Sequence, residues 1–131
     1  MDIAALLATS LLFGGMTLYS FGFAPLVFSA LPADVAGKLL RQAFPHYYLF
    51  VMIIAALAAV TLWLADPINA GLMTATAIVA VVARQVLMPM INTARDAGTK
   101  QKFDRLHGLS VALNMLQLAA VAAVLVRLAQ K

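Results

Sequence analysis

The chain has 131 residues, 64% of them hydrophobic and only 11% charged, with a formal charge of +4 and no cysteine. Soluble domains average about 45–50% apolar and about 25% charged residues, so composition argues against the alternative of a compact soluble helical bundle: too few polar groups exist to cover its surface. Disulfides and thiolate metal sites are excluded as well, and no basic, aromatic-rich module points to a nucleic-acid partner.

One domain, residues 1–131, is expected, with the lipid bilayer as its surroundings. A membrane-crossing helix needs about 20 mostly apolar residues. Residues 3–24 form the first candidate, and no charge interrupts the chain between Asp2 and Asp34. An acid at position 2 and an apolar run reaching Phe28 argue for a retained span rather than a cleaved signal peptide. Ala8, Gly15 and Gly22 recur every seven residues, a small-residue face that lets another helix approach closely. Packing within the molecule is the first reading of that face. A homodimer or an assembly partner docked there is the alternative.

Pro25 and Pro32 bracket the exit of the first span, and Val35, Leu39 and Leu40 then give a short amphipathic pattern. A brief interfacial helix is expected there, between spans 1 and 2. The second span, 46–64, starts after Pro45, with Tyr47 and Tyr48 at one end and Trp63 at the other as interfacial anchors. A tight turn follows, and Asn69 is the candidate cap of the third span, 70–90, which Pro89 should weaken at its end. A polar, basic loop leads to the fourth span, 103–128. The fold class is therefore all-α, an integral membrane four-helix bundle.

Lys38, Arg41, Arg95, Lys100, Lys102 and Arg105 fall on the side of the two longer connections, against Arg127 and Lys131 on the other. The positive-inside rule places those connections in the cytoplasm and both termini outside.

The polar residues inside the spans converge at the cytoplasmic end. His107, Ser110, Asn114 and Gln117 share one face of the fourth helix. Arg84 lies at a similar depth on the third, and Asn92 and Arg95 continue its face. An arginine facing lipid at mid-bilayer costs at least about 2.5–3.5 kcal/mol, so Arg84 is expected to face the bundle and pair with Ser110 and Asn114. His46 and Tyr47 begin the second span at the same end. These residues make up a candidate polar pocket for a small polar or anionic ligand, bound or translocated. The alternative use of His46 and His107 is as ligands of haem or a metal ion, and the bland one is interhelical glue. Asp96 is expected to pair with Arg95, Lys100 or Arg105. No nucleophile–base pair, paired carboxylates or phosphate loop is present, so an enzyme is not expected.

Several strings carry a resemblance: Phe13-Gly14-Gly15 through Phe28, Phe44-Pro45-His46-Tyr47-Tyr48, Arg84 through Asn92-Thr93-Ala94-Arg95-Asp96, and Phe103 through His107-Gly108-Leu109-Ser110 with Asn114. Their order resembles the bacterial family called domain of unknown function 4149, similar to the eukaryotic transmembrane-protein-205 group. The resemblance implies a four-helix membrane protein and no particular activity. Carried over residue by residue, it implies a polar site at Pro45, Tyr47, Arg95, His107, Ser110 and Asn114.

Overall fold

The computed structural model describes residues 3–131 and consists of four long helices: α1 (Ile3–Ala30), α2 (Ala33–Leu62), α3 (Pro67–Asp96) and α4 (Lys100–Ala129). All four are long and apolar enough to cross a membrane. No strand occurs among the described residues. Met1 and Asp2, whose acid bears on the signal-peptide reading, lie outside them.

The helices pack in a ring, α1 on α2, α2 on α3, α3 on α4 and α4 on α1, with α2 and α3 forming the most extensive pair. Each contributes fully buried side chains to one core: Leu12 and Met16, Val51 and Ala55, Met73 and Ala80, Val121 and Val124. Outward faces carry exposed Leu, Val, Ile and Phe, as lipid-facing helices should. Trp63 is 64% exposed beside the turn after α2, where an interfacial anchor belongs.

Two turns are set by local chemistry. Asp66, not Asn69, caps α3: its Oδ1 accepts from the Asn69 backbone N–H at 3.2 Å, with Pro67 in the first turn, where no amide is missed. Asn69 was the expected cap because both residues are good cap formers, but the proline fixes the helix start one residue after the aspartate. Between α3 and α4, Thr99 N–H donates to Ala94 C=O and Gly98 N–H to Arg95 C=O, at 3.0 and 3.2 Å. Gly98 has φ +71°, the left-handed position that closes a Schellman turn and that favours glycine.

The separate interfacial helix is not found. Residues 33–62 form one continuous helix through Pro45. Proline removes one backbone bond, but a helix held between neighbours tolerates that loss far better than an isolated one. The buried face of its first turns is Ala36, Gly37 and Leu40, packed against Val27 at the end of α1, while Val35 and Leu39 point outward.

Two helices contain a π-turn. Leu18–Phe23 lies immediately before Ala24 and Pro25, and Ala83–Leu87 immediately before Met88 and Pro89. In each, the residue before the proline donates five residues back, Ala24 to Tyr19 and Met88 to Ala83. The widened turn accommodates a ring that cannot donate, so α3 continues past Pro89 to Asp96 instead of weakening there. The same device breaks the seven-residue face of α1. A Cβ on Gly15 would lie 2.7 Å from the Phe50 ring of α2, so Gly15 is filled from within the molecule. Ala8 packs on the core. Gly22 lies inside the π-turn, where its nearest neighbour is Leu18 of its own helix, so it leaves the face that a regular helix would have kept.

Candidate functional site

At the end of the bundle where α1 leaves, α2 begins, α3 ends and α4 begins, the helices enclose a cavity of about 410 Å³. Its polar lining comes from Arg41 of α2, Asn92 and Arg95 of α3, and His107 and Ser110 of α4; Phe28, Phe44 and Phe103 supply much of the rest.

Two guanidiniums line this cavity, and each is held by a different acceptor. Arg41 donates to both oxygens of Asp96, at 2.8 and 2.9 Å, across α2 and α3. Asp96 thus pairs with Arg41 rather than with Arg95, Lys100 or Arg105. The antiparallel packing of α2 on α3 brings the two side chains face to face, and the fork matches the carboxylate in a way a neighbour on the same chain segment would not. Arg95 donates to the Gly37 carbonyl at 3.3 Å. A Cβ on Gly37 would lie 1.8 Å from Arg95 Nη2, so glycine is what lets the guanidinium lie against the α2 backbone.

A second cavity, of about 390 Å³, adjoins the first through Phe28, Phe44, His107 and Ser110, which line both. Behind it stands a packed aromatic group: Tyr19 stacks on Tyr47 with centroids 4.1 Å apart, and Phe44 stacks on Tyr48 at 6.1 Å. The polar tips of Tyr47 and Tyr48 are bonded across the helices, while the buried Tyr19 hydroxyl has no hydrogen-bond partner among the described residues. Tyr47 donates to Asn114 Oδ1 at 2.6 Å, Asn114 Nδ2 donates to Ser20 Oγ at 2.8 Å, and the hydroxyls of Tyr48 and Ser110 share a bond of 3.1 Å.

Ser110 and Asn114 of the fourth-helix polar face therefore meet α1 and α2, not Arg84. Arg84 donates through Nε to the Pro45 carbonyl at 3.1 Å and lies outside both cavities. The long side chain reaches a carbonyl on α2, the helix that α3 packs against most closely, and leaves Ser110 and Asn114 to the tyrosines. Gln117 is buried and donates to the Thr76 carbonyl at 2.9 Å, tying α4 to α3 as glue. Tyr47 and Tyr48 are buried rather than interfacial. His46 is exposed and lies outside both cavities, whereas His107 lines both and stacks on Phe103 at 5.8 Å. The two histidines do not share a site, and no group of three metal-ligating side chains forms among the described residues.

Of the sequence candidates, the structure thus gathers Asn92, Arg95, His107, Ser110 and Asn114 around the two cavities, with Tyr47 behind them. Arg41, Tyr48 and Ser20 join them without having been singled out as site residues. The signal for Arg41 was the basic asymmetry of the connections. Nothing in the sequence marked Ser20.

The opposite end is organised differently. Asp66 accepts from Asn69 Nδ2 at 2.6 Å and from the Lys131 ammonium, and Asn69 Oδ1 accepts from Arg127 Nε at 2.9 Å. The Lys131 ammonium and the Asn69 amides hold the Asp66 carboxyl below the usual carboxylate range.

A family model described as domain of unknown function (DUF4149) matches residues 7–100. The chain belongs to that family. The match takes in α1, α2 and α3, and with them the DUF4149 portion of the cavity: Phe28, Gly37, Arg41, Phe44, Asn92 and Arg95. The string His107 to Asn114 on α4, used above for the resemblance, lies beyond it. Comparison with curated proteins and with solved structures found no match.

Proposed function

We propose that this DUF4149 protein binds a small anionic ligand in the cavity between Arg41, Arg95 and His107, at the cytoplasmic side of a bacterial inner membrane. The observation that carries the reading is that two guanidiniums line the cavity, Arg41 paired with Asp96 and Arg95 held only by the neutral Gly37 carbonyl, which leaves positive charge beside an apolar wall. Guanidinium is a fixed, forked cation suited to carboxylates and phosphates. The cavity volume falls within the range of small-molecule sites, about 300–1,000 Å³. Binding is favoured over translocation because the other half of the bundle is closed by Leu12, Met16, Val51, Met73 and Val121, all fully buried.

The basic excess at the cavity end supports a cytoplasmic placement, with both termini outside. The absence of native cysteine makes this directly measurable: a thiol introduced by Gly98→Cys should react with an impermeant reagent only in inverted vesicles, and one introduced by Lys131→Cys only in right-side-out vesicles.

The binding reading is tested with glycerol 3-phosphate as the probe, titrated into protein held in phosphatidylcholine nanodiscs. A hydrogen bond to a charged group contributes about 1.5–3 kcal/mol, so Arg95→Gln should weaken binding about ten-fold or more. Unchanged affinity in Arg95→Gln, or no binding by the native chain, would overturn the reading.

A further inference from the structure

We infer that the ligand of this cleft is a single-chain anionic amphiphile, with its head between Arg41 and Arg95 and its tail leaving the bundle between α1 and α4. This deepens the anion-binding reading above and rests on it.

The first observation is adjacency. The two cavities share Phe28, Phe44, His107 and Ser110 in their walls, so a second space of about 390 Å³ adjoins the one at the arginines. The second is the character of that compartment. Ala24 and Pro25 of α1 face Val111 and Met115 of α4 across it, with aromatic rings behind. Its polar neighbours Ser20, Tyr48, Ser110 and Asn114 are already hydrogen-bonded. Tyr19, whose buried hydroxyl has no hydrogen-bond partner among the described residues, and His107 line it too, but rings and aliphatic side chains make up most of its wall, which suits a hydrocarbon chain.

The third observation is how the slot arises. Before the π-turn, Ile3–Thr17 packs against both α2 and α4; after it, Ala24–Ala30 packs chiefly against α2. The two helices part where the turn changes the course of α1, and Val111 of α4 is left 47% exposed beside the gap. Ala24 and Val111 both fall within helices long and apolar enough to cross a membrane, so a gap between them lies where a lipid chain can reach it. A free phosphate would need only the first cavity, and a neutral lipid would need no arginines. A chain with an anionic end uses both. Because lipid tails are as apolar as the slot, moving the chain from bilayer to protein yields little by itself, and selection rests on the charged head.

The experiment uses the full chain in phosphatidylcholine nanodiscs and a lysophosphatidate carrying a photoreactive diazirine in mid-chain, with a monoacylglycerol of the same chain as the neutral control. Irradiation should label Ala24–Phe28 and Val111–Met115, at least ten-fold less in Arg95→Gln, and the monoacylglycerol should label these segments no more than the outer surface. Met115→Trp, which fills the slot, should abolish this labelling while glycerol 3-phosphate still binds; Leu116→Trp, on an exposed position of the same helix, should leave both intact.

Two results overturn the inference and are distinguishable. If glycerol 3-phosphate binds in an Arg95-dependent way but the lysophosphatidate labels outward positions such as Leu57 and Val60 as the monoacylglycerol does, the tail assignment fails and the anion site stands. If neither anion depends on Arg95, both fail.

Discussion

The two ends of the bundle hold their charges in opposite ways. At the Asp66 end, one carboxylate, one amide, Arg127 and Lys131 are knotted together, and Asn69 at the centre is fully buried. At the other end, Arg41 and Arg95 border a cavity, Arg41 paired with Asp96 and Arg95 lying on the Gly37 carbonyl. The first arrangement fastens the carboxyl-terminal end of α4 to the start of α3. The second holds a space open. Each end holds two cations and one carboxylate, so what separates closure from access is whether the polar residues pack on one another or line a space.

The largest expected effect comes from breaking the fastened end. Asp66→Ala removes the α3 cap and the partner of Asn69 and Lys131 together, and should destabilise the protein by about 2 kcal/mol, read from unfolding in mixed detergent micelles. A corresponding pH dependence should appear. Because the folded carboxyl titrates below its unfolded value, its contribution is complete above the ordinary range near pH 4 and disappears as pH falls through the lower, folded value. The stability difference between the native chain and Asp66→Asn should therefore shrink on acidification; a gap that widens would contradict the assignment.

The tyrosine network at the open end comes next. Tyr47→Phe should cost about 1 kcal/mol, and its coupling to Asn114→Ala in a double-mutant cycle should lie near 0.6 kcal/mol and below about 1.7, as for other interhelical bonds in membranes. Gly37→Ala should change stability less than either, because the group it meets is the movable end of Arg95, yet it should weaken glycerol 3-phosphate binding by displacing that guanidinium. The smallest effect on unfolding belongs to the exposed Arg41–Asp96 pair. Asp96→Asn should leave the unfolding midpoint unchanged while tightening anion binding several-fold, since Arg41 is released to the cavity. A shifted midpoint with unaltered binding would make the two ends alike.

The helices themselves were legible in the sequence, since four apolar runs of membrane-crossing length leave little choice of element. Their ends were less so. Prolines at 25, 45 and 89 read as boundaries, yet helices extend through all three, because packing and π-turns absorb the missing donor. Side-chain pairing was partly legible. The spacing of His107, Ser110 and Asn114 does place them on the cleft side, but which helix they would meet depended on tilt and rotation that no periodicity records. That is why Arg84 found Pro45 and Asn114 found Tyr47. Ser20 and the Gly37–Arg95 approach arise from three-dimensional proximity alone.

The widened turn at Leu18–Phe23 has a further consequence for how this chain tolerates change. It works as a frameshift in space: every side chain after it is turned relative to the face set by the preceding residues. A substitution within those six positions acts through the contacts of that one side chain, whereas loss of a single residue there would restore the regular winding and re-aim Pro25 and Phe28 together. Length in this stretch is therefore held more strictly than identity, and an insertion or deletion would be felt at the mouth of the cleft before it was felt in the core.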